Sequence, residues 1–184
     1  MEEKNLIKKC KNGNRVAFNE LVLAYQEQVV NFAYSMLSNR EDAYDAAQEI
    51  FIRVYKNINN FEEKSQFKTW LFRICSNVCK DTLRKRQVRS NVISIDTGNY
   101  DDEAIDIVDE RQSPEDALEK SETQRRVREA LKQIKDEYRE VITYCDIEQR
   151  SYEETAEILR CPVGTIKSRL SRARIALKKQ LEGL

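Results

Sequence analysis

Near its C-terminal end the chain carries a residue set suited to reading the edges of nucleic-acid bases. Projected at 100° per residue, Val163, Ile166, Leu170, Ala173 and Leu177 fall on one helical stripe, with Ser168, Ser171 and Arg172 on the opposite side and Lys167 and Arg169 flanking them. Arginine and lysine donate to guanine, and serine pairs with several bases or with a phosphate. Arg174, Lys178 and Lys179 extend the same element as backbone contacts. Just before it, Ser151 and Glu154 have the spacing of a capping box that opens a short helix with Ala156 and Ile158 facing inward. Leu159-Arg160-Cys161 reads as a turn, and Pro162 starts the next helix. A bracing helix, a tight turn and an outer helix with a polar, cationic face form a helix-turn-helix layout.

Two further constellations lie in the first half. Arg73, Asn77, Lys80 and Arg84 recur at steps of four, three and four on one side of a helix expected from about Ser65 to Arg86. Three cations in line can follow a phosphate backbone while the amide meets a base. The preceding stretch from Asn60 to Phe67 carries Phe61, Lys64 and Ser65, aromatic and cationic equipment for unstacked bases. The rings of Phe67 and Trp70 also fit plain core packing. Asp45, Gln48 and Glu49 make a compact acidic and amide patch on another helix, a pattern that by itself is common on solvent-facing surfaces.

The elements that must position these groups are helical. Charged residues are 35% of the chain and aromatics 8%, with four glycines and two prolines among 184 residues, a balance favouring amphipathic helices over sheet. Phe18, Leu21, Val22, Tyr25, Val29, Phe32, Ala33 and Met36 mark one long helix. A second begins at Glu41 with the stripe Ala43, Ala47, Ile50 and Val54, and the third has the stripe Phe67, Leu71, Ile74 and Val78. Ser113-Pro114-Glu115-Asp116 is a helix start, and Leu118, Val127, Leu131 and Ile134 mark its buried side. Residues Glu137 to Ile147 read as another helix. The expected fold is all-α: two small helical domains over residues 1–89 and 113–184, joined by a flexible acidic linker over 90–112.

Charge follows the same division. The formal net charge is zero, but residues 95–119 hold ten acids and one base, whereas 64–89 hold eight bases and one acid, and 160–181 hold seven bases and no acid. Two basic surfaces separated by an acidic tether suit contact with DNA at two places.

Other chemistries find little support. Without histidine, the commonest general base and every Ser-His or Cys-His pair are missing, and no phosphate-binding glycine loop occurs. Five cysteines with no C-x-x-C pair do not suggest a disulfide framework; Cys75 and Cys79, one helical turn apart, are expected to be reduced, partly buried thiols. No metal, cofactor or small-molecule substrate is expected. No apolar run approaches the roughly 20 residues needed to span a bilayer, and the start lacks a signal-peptide core, so a cytoplasmic protein is expected.

Asp45-Ala46-Ala47-Gln48-Glu49-Ile50-Phe51 with Tyr55, then Phe67-Lys68-Thr69-Trp70-Leu71-Phe72-Arg73-Ile74 with Asn77, Asp81 and Arg84, resemble region 2 of extracytoplasmic-function (ECF) sigma factors. Tyr138-Arg139-Glu140-Val141, Tyr152-Glu153-Glu154-Thr155-Ala156 and the run from Pro162 to Arg174 resemble region 4. The resemblance implies that Asp45, Gln48 and Glu49 dock on the clamp coiled coil of the largest subunit of core RNA polymerase. It implies that Phe61, Lys64, Ser65, Phe67, Lys68, Arg73, Asn77, Lys80 and Arg84 serve an opened −10 element. Thr165, Lys167, Ser168, Arg169, Ser171, Arg172 and Arg174 would serve the −35 element, and region 4 would grip the flap of the second-largest subunit. Family members are commonly held inactive by an anti-sigma factor. One departure is Lys135-Asp136, where the family often has Leu-Pro before the Tyr-Arg pair. The alternative is a polymerase-independent helix-turn-helix regulator, which would bind duplex DNA tightly alone, usually as a dimer.

Overall fold

The computed structural model describes residues 2–92 and 114–183, all of whose regular elements are helical. Most of the expected acidic linker, with its flexibility, and the Ser113 cap lie outside the described residues. Residues 90–92 of that linker belong to a helix instead, and the helix expected from Ser113-Pro114 is present from Pro114 onward.

Four helices make the first block: α1 (Glu2–Lys11), α2 (Arg15–Leu37), α3 (Arg40–Asn57) and α4 (Phe67–Val92). Two asparagines set its corners. Asn14 and Asn39 hold extended backbone while their side-chain oxygens accept from Ala17 N at 3.0 Å and Asp42 N at 2.9 Å, closing two helix N-termini. Ser38 ends α2 in the left-handed region at φ 53°, so only two residues separate α2 from α3. The expected apolar stripes meet here: Leu21, Val29, Phe32 and Met36 of α2, Ile50 and Val54 of α3, and Phe67, Leu71 and Val78 of α4 are buried together. Helix α1, which the sequence reading missed, adds Ile7 and Cys10 to this core.

The second block holds α5 (Pro114–Gln133), α6 (Asp136–Ile142), α7 (Tyr152–Leu159) and α8 (Val163–Glu182). The expected helix over 137–147 divides, since α6 passes into a single π-helical turn at Thr143–Ile147. The Lys135-Asp136 departure leaves the start of α6 regular: the Lys135 carbonyl accepts from Tyr138 N at 2.9 Å and Arg139 N at 3.0 Å. Leu131, Ile134, Val141, Ile142, Ile166, Leu170 and Ala173 form this block's core.

The blocks are packed against each other rather than standing apart. Ile74, expected in the α4 stripe, is only half-buried, while Phe72, Cys75 and Cys79 on another side of α4 are fully buried. A helix apolar on more than one side is a helix covered on more than one side. The cover is the second block: Tyr144 and Ile158 join the first block's core. The Tyr144 ring lies 4.8 Å from that of Phe32 and 6.3 Å from that of Phe72, and its hydroxyl donates to the Phe72 carbonyl at 3.0 Å. Aromatic pairs of this kind contribute about 0.5–1.5 kcal/mol beyond their area burial.

Candidate nucleic-acid and polymerase interfaces

Local capping builds the helix-turn-helix. The Ser151 side chain accepts from Glu154 N at 3.1 Å, and the Glu154 carboxylate accepts from Ser151 N at 3.0 Å, so both arms of the capping box form. Arg160, at φ 52°, ends α7, and Cys161 N returns to the Ala156 carbonyl at 3.1 Å. Helix α8 then lies with Ile166, Leu170 and Ala173 buried and with Lys167, Ser168, Ser171 and Arg172 exposed on its other side. Thr165 and Arg169 are half-buried at the margins of that face. Ser168 donates to the Thr165 carbonyl at 3.0 Å, and Arg169 lies 3.8 Å from Glu137. Arg174 is engaged on the protein itself, with two guanidinium nitrogens on the Asp146 carboxylate at 2.6 and 3.1 Å, a bond that raises its pKa.

On α3, Asp45 and Gln48 are exposed and Glu49 is half-buried. Arg53 donates to Glu49 at 2.7 Å and reaches Asp81 of α4 at 3.4 Å, fastening the patch to the neighbouring helix. The Arg53 bond holds the Glu49 carboxyl below the usual carboxylate range. Tyr44, Ile52 and Tyr55 are large apolar side chains left 46, 47 and 48% exposed beside these polar groups. Exposed tyrosines and an isoleucine next to acidic and amide groups make a surface of mixed apolar and polar character. The sequence reading missed Tyr44 and Ile52, although residues 44, 48, 52 and 55 share one helical stripe.

The expected DNA set on α4 and its loop divides into three. Phe61 and Phe67 are 4 and 3% exposed, their rings 5.6 Å apart and 5.4 and 5.7 Å from that of Trp70. The two rings form the wall of the loop with Trp70, the core packing that the sequence left open for Phe67 and Trp70, and Phe61 shares it. Lys64 is exposed and ion-paired to Glu62, while Ser65 and Lys68 are half-buried. Asn77 and Arg84 are exposed, Arg84 lying 3.6 Å from Asp81. Asn77 opens onto a cavity of about 230 Å³ lined also by Arg53, Asn57, Asn60, Trp70 and Ile74. Arg73 and Lys80, by contrast, turn toward the second block. The Arg73 guanidinium donates to the Glu157 carbonyl at 2.8 and 3.2 Å, and Lys80 reaches Glu140 at 2.8 Å. Arg53 and Asn57 were not singled out by sequence because they line this cavity from α3, and Asn60 was read only as the start of the loop.

The cysteines are free thiols, four of them buried. Burial pushes the Cys79 thiol up to about 12 and raises Cys75 well above its ordinary value, which removes thiolate reactivity at neutral pH. No group of metal-ligating side chains occurs among the described residues, and no described helix is long and apolar enough to cross a membrane.

This geometry is that of a two-domain helical protein, and comparison with known proteins places it. Sigma-70 region 2 matches residues 21–89 and sigma-70 region 4 matches residues 124–177. The chain is 37% identical to the ECF RNA polymerase sigma factor SigW of Bacillus subtilis, covering 98% of this chain and 97% of that protein. It is 34% identical to the RNA polymerase sigma-H factor of Pseudomonas aeruginosa, covering 100 and 95%. Among solved structures, the sigma factor RpoE of Bartonella quintana in complex with the anti-sigma factor NepR matches with a TM-score of 0.70 and 28% identity, over 90% of this chain and 96% of that one. CnrH, in complex with the cytosolic domain of CnrY, shares the fold with a TM-score of 0.71 at 24% identity, over 100% of this chain and 99% of that one. The chain therefore belongs to the ECF sigma factors, transcription initiation factors that act on RNA polymerase rather than enzymes in their own right.

Proposed function

We propose that the chain binds core RNA polymerase in the cytoplasm through the α3 face, reads a −35 element with α8 and holds an opened −10 strand at Asn77. The observation that carries this reading is the α8 face, where Lys167, Ser168, Ser171 and Arg172 stand exposed opposite the buried Ile166, Leu170 and Ala173. Asp45, Gln48 and Glu49 with their apolar neighbours suit the clamp coiled coil, and the second domain suits the flap. The cavity beside Asn77 lies below the roughly 300–1,000 Å³ typical of drug-sized ligand sites and presents three asparagine amides and an indole, equipment for a single flat base. Strand capture there offsets the few kcal/mol of unstacking without nucleotide hydrolysis. Control by an anti-sigma factor is supported by the relative whose structure is a complex with NepR.

Each domain alone offers few phosphate contacts, so the free protein binds DNA weakly and in a salt-sensitive way. Holding both domains on one polymerase makes the second contact intramolecular. Size-exclusion chromatography with purified core polymerase, paired with a gel shift lacking polymerase, tests this. Co-elution with core and weak binding alone is the expected result. Tight duplex binding alone, with no co-elution, would establish the regulator reading instead.

A further inference from the structure

Helix α1 precedes the residues that match region 2, yet its polar side chains tie down both walls of the loop between α3 and α4. Lys11 donates from Nζ to the Phe61 carbonyl, and the same ammonium lies 5.5 Å from the centre of the Phe61 ring. One residue thus fixes both the backbone and the ring of Phe61, by a charge-assisted hydrogen bond and a cation–π contact. At the other end of α1, Glu3 accepts from the Tyr25 hydroxyl, and the Tyr25 ring lies 5.6 Å from that of Phe67. Between these ends Ile7 and Cys10 are buried, so apolar packing seats the helix and its polar ends are held in place. The loop needs such support. Glu63 stands in the left-handed region at φ 56°, a conformation that a residue with a side chain holds only against a cost. Trp70 N donates to the Gln66 carbonyl at 3.2 Å and fixes the far end, while Glu62, Glu63, Lys64 and Gln66 stand exposed between.

We propose that Lys11 is a positioning residue for base selection at the −10 element, holding the Phe61 end of the loop in register with the Asn77 cavity, while Glu3 and Tyr25 steady the Phe67 end. The inference rests on the reading of this loop and cavity as the −10 site. The path from Lys11 to the cavity is short. Asn60, which lines the cavity, is the residue before Phe61, and the Trp70 indole, which also lines it, lies 5.4 Å from the Phe61 ring. A displaced Phe61 therefore moves an amide and an indole of the cavity together. Lys11 acts through these groups and needs no contact with a base. A loop released from its brace samples more arrangements, each suited to different bases, so selectivity falls more than affinity.

The test uses the full chain assembled with core polymerase and a single-stranded DNA library randomised over a short window, sequenced before and after capture, with core alone as the blank. The unaltered holoenzyme is expected to enrich a base pattern. Lys11→Met is expected to flatten that pattern by up to about tenfold, the lower end of what one hydrogen bond from a charged donor contributes. Lys11→Arg, which keeps the charge and a donor, is expected to restore most of it. Tyr25→Phe, which loses only the hydroxyl held by Glu3, is expected to flatten it less. Affinity for core, read by fluorescence anisotropy, is expected to stay unchanged in all three. An unchanged pattern in Lys11→Met would overturn the brace. So would a loss equal for every sequence with a shallower salt dependence, which would make Lys11 a phosphate contact. Replacing Lys64 and Ser65 together by alanine separates this inference from the reading it rests on. If that double variant alters the pattern and Lys11→Met does not, the loop reads bases but α1 does not position it. If neither alters it, the −10 reading of the loop is itself wrong and the brace falls with it.

Discussion

Helices α8 and α4 each carry a row of cations proposed to meet nucleic acid, but they stand in opposite states. On α8, Lys167, Ser168, Ser171 and Arg172 face solvent, while Arg169, Arg174 and Lys178 lie near acids of their own domain. On α4, Arg73 and Lys80 are bound by the other domain, and Asn77 and Arg84 of the same row remain exposed. One row is open to solvent and the other is partly covered. The difference teaches that helical periodicity locates a functional face but does not say whether that face is available, since availability is decided by residues far away along the chain.

The largest expected effect breaks the join itself. Tyr144→Ala removes a fully buried ring between Phe32 and Phe72 and is expected to lower stability by about 3–5 kcal/mol in urea unfolding. Tyr144→Phe, losing only the hydrogen bond to Phe72, is expected to cost about 1 kcal/mol. Next come the two reading heads. Arg172→Ala is expected to weaken promoters by about 1–3 kcal/mol at the upstream element if it contacts a base, checked by transcription from templates varied at that element. A loss equal across all upstream sequences would make it a phosphate contact. Asn77→Ala is expected to reduce strand opening at the downstream element, read by permanganate reactivity, with core binding unchanged; a parallel fall in core binding would make Asn77 a structural residue.

Smaller effects test the local supports. Ser151→Ala removes one arm of the capping box and is expected to destabilise the helix-turn-helix domain by about 0.5–2 kcal/mol in thermal unfolding. Glu49 has its folded-state pKa depressed by Arg53. Its contribution to stability is therefore present above the unfolded carboxylate range, near about 4.3, and is lost as pH falls through the folded value. An NMR titration is expected to place its midpoint below the ordinary range, and Arg53→Met is expected to return it.

The helix-turn-helix was legible in the sequence because its determinants are local: an apolar stripe, a capping box and a tight turn, all close together along the chain. The core stripes of α2 and α3 were legible for the same reason. Helix α1 was not, because only Leu6, Ile7 and Cys10 mark its inward side among its described residues. Phe61 and Phe67 could not be assigned from sequence, since a loop aromatic reads alike whether it packs on Trp70 or waits for a base. The second covered side of α4 was equally hidden, because Phe72, Cys75 and Cys79 gain their cover from Tyr144 and its neighbours far along the chain. The zero net charge conceals two basic surfaces for a related reason: an average over the chain erases where the charges fall.

The central claim, that the chain directs core RNA polymerase to promoters through two reading heads, is tested most directly by run-off transcription with purified core enzyme on genomic fragments. The account predicts discrete transcripts that require the chain, arise from sites sharing an upstream and a downstream element at fixed spacing, and fall when either Arg172 or Asn77 is replaced by alanine. No chain-dependent transcript from a core enzyme active with another sigma factor would contradict it.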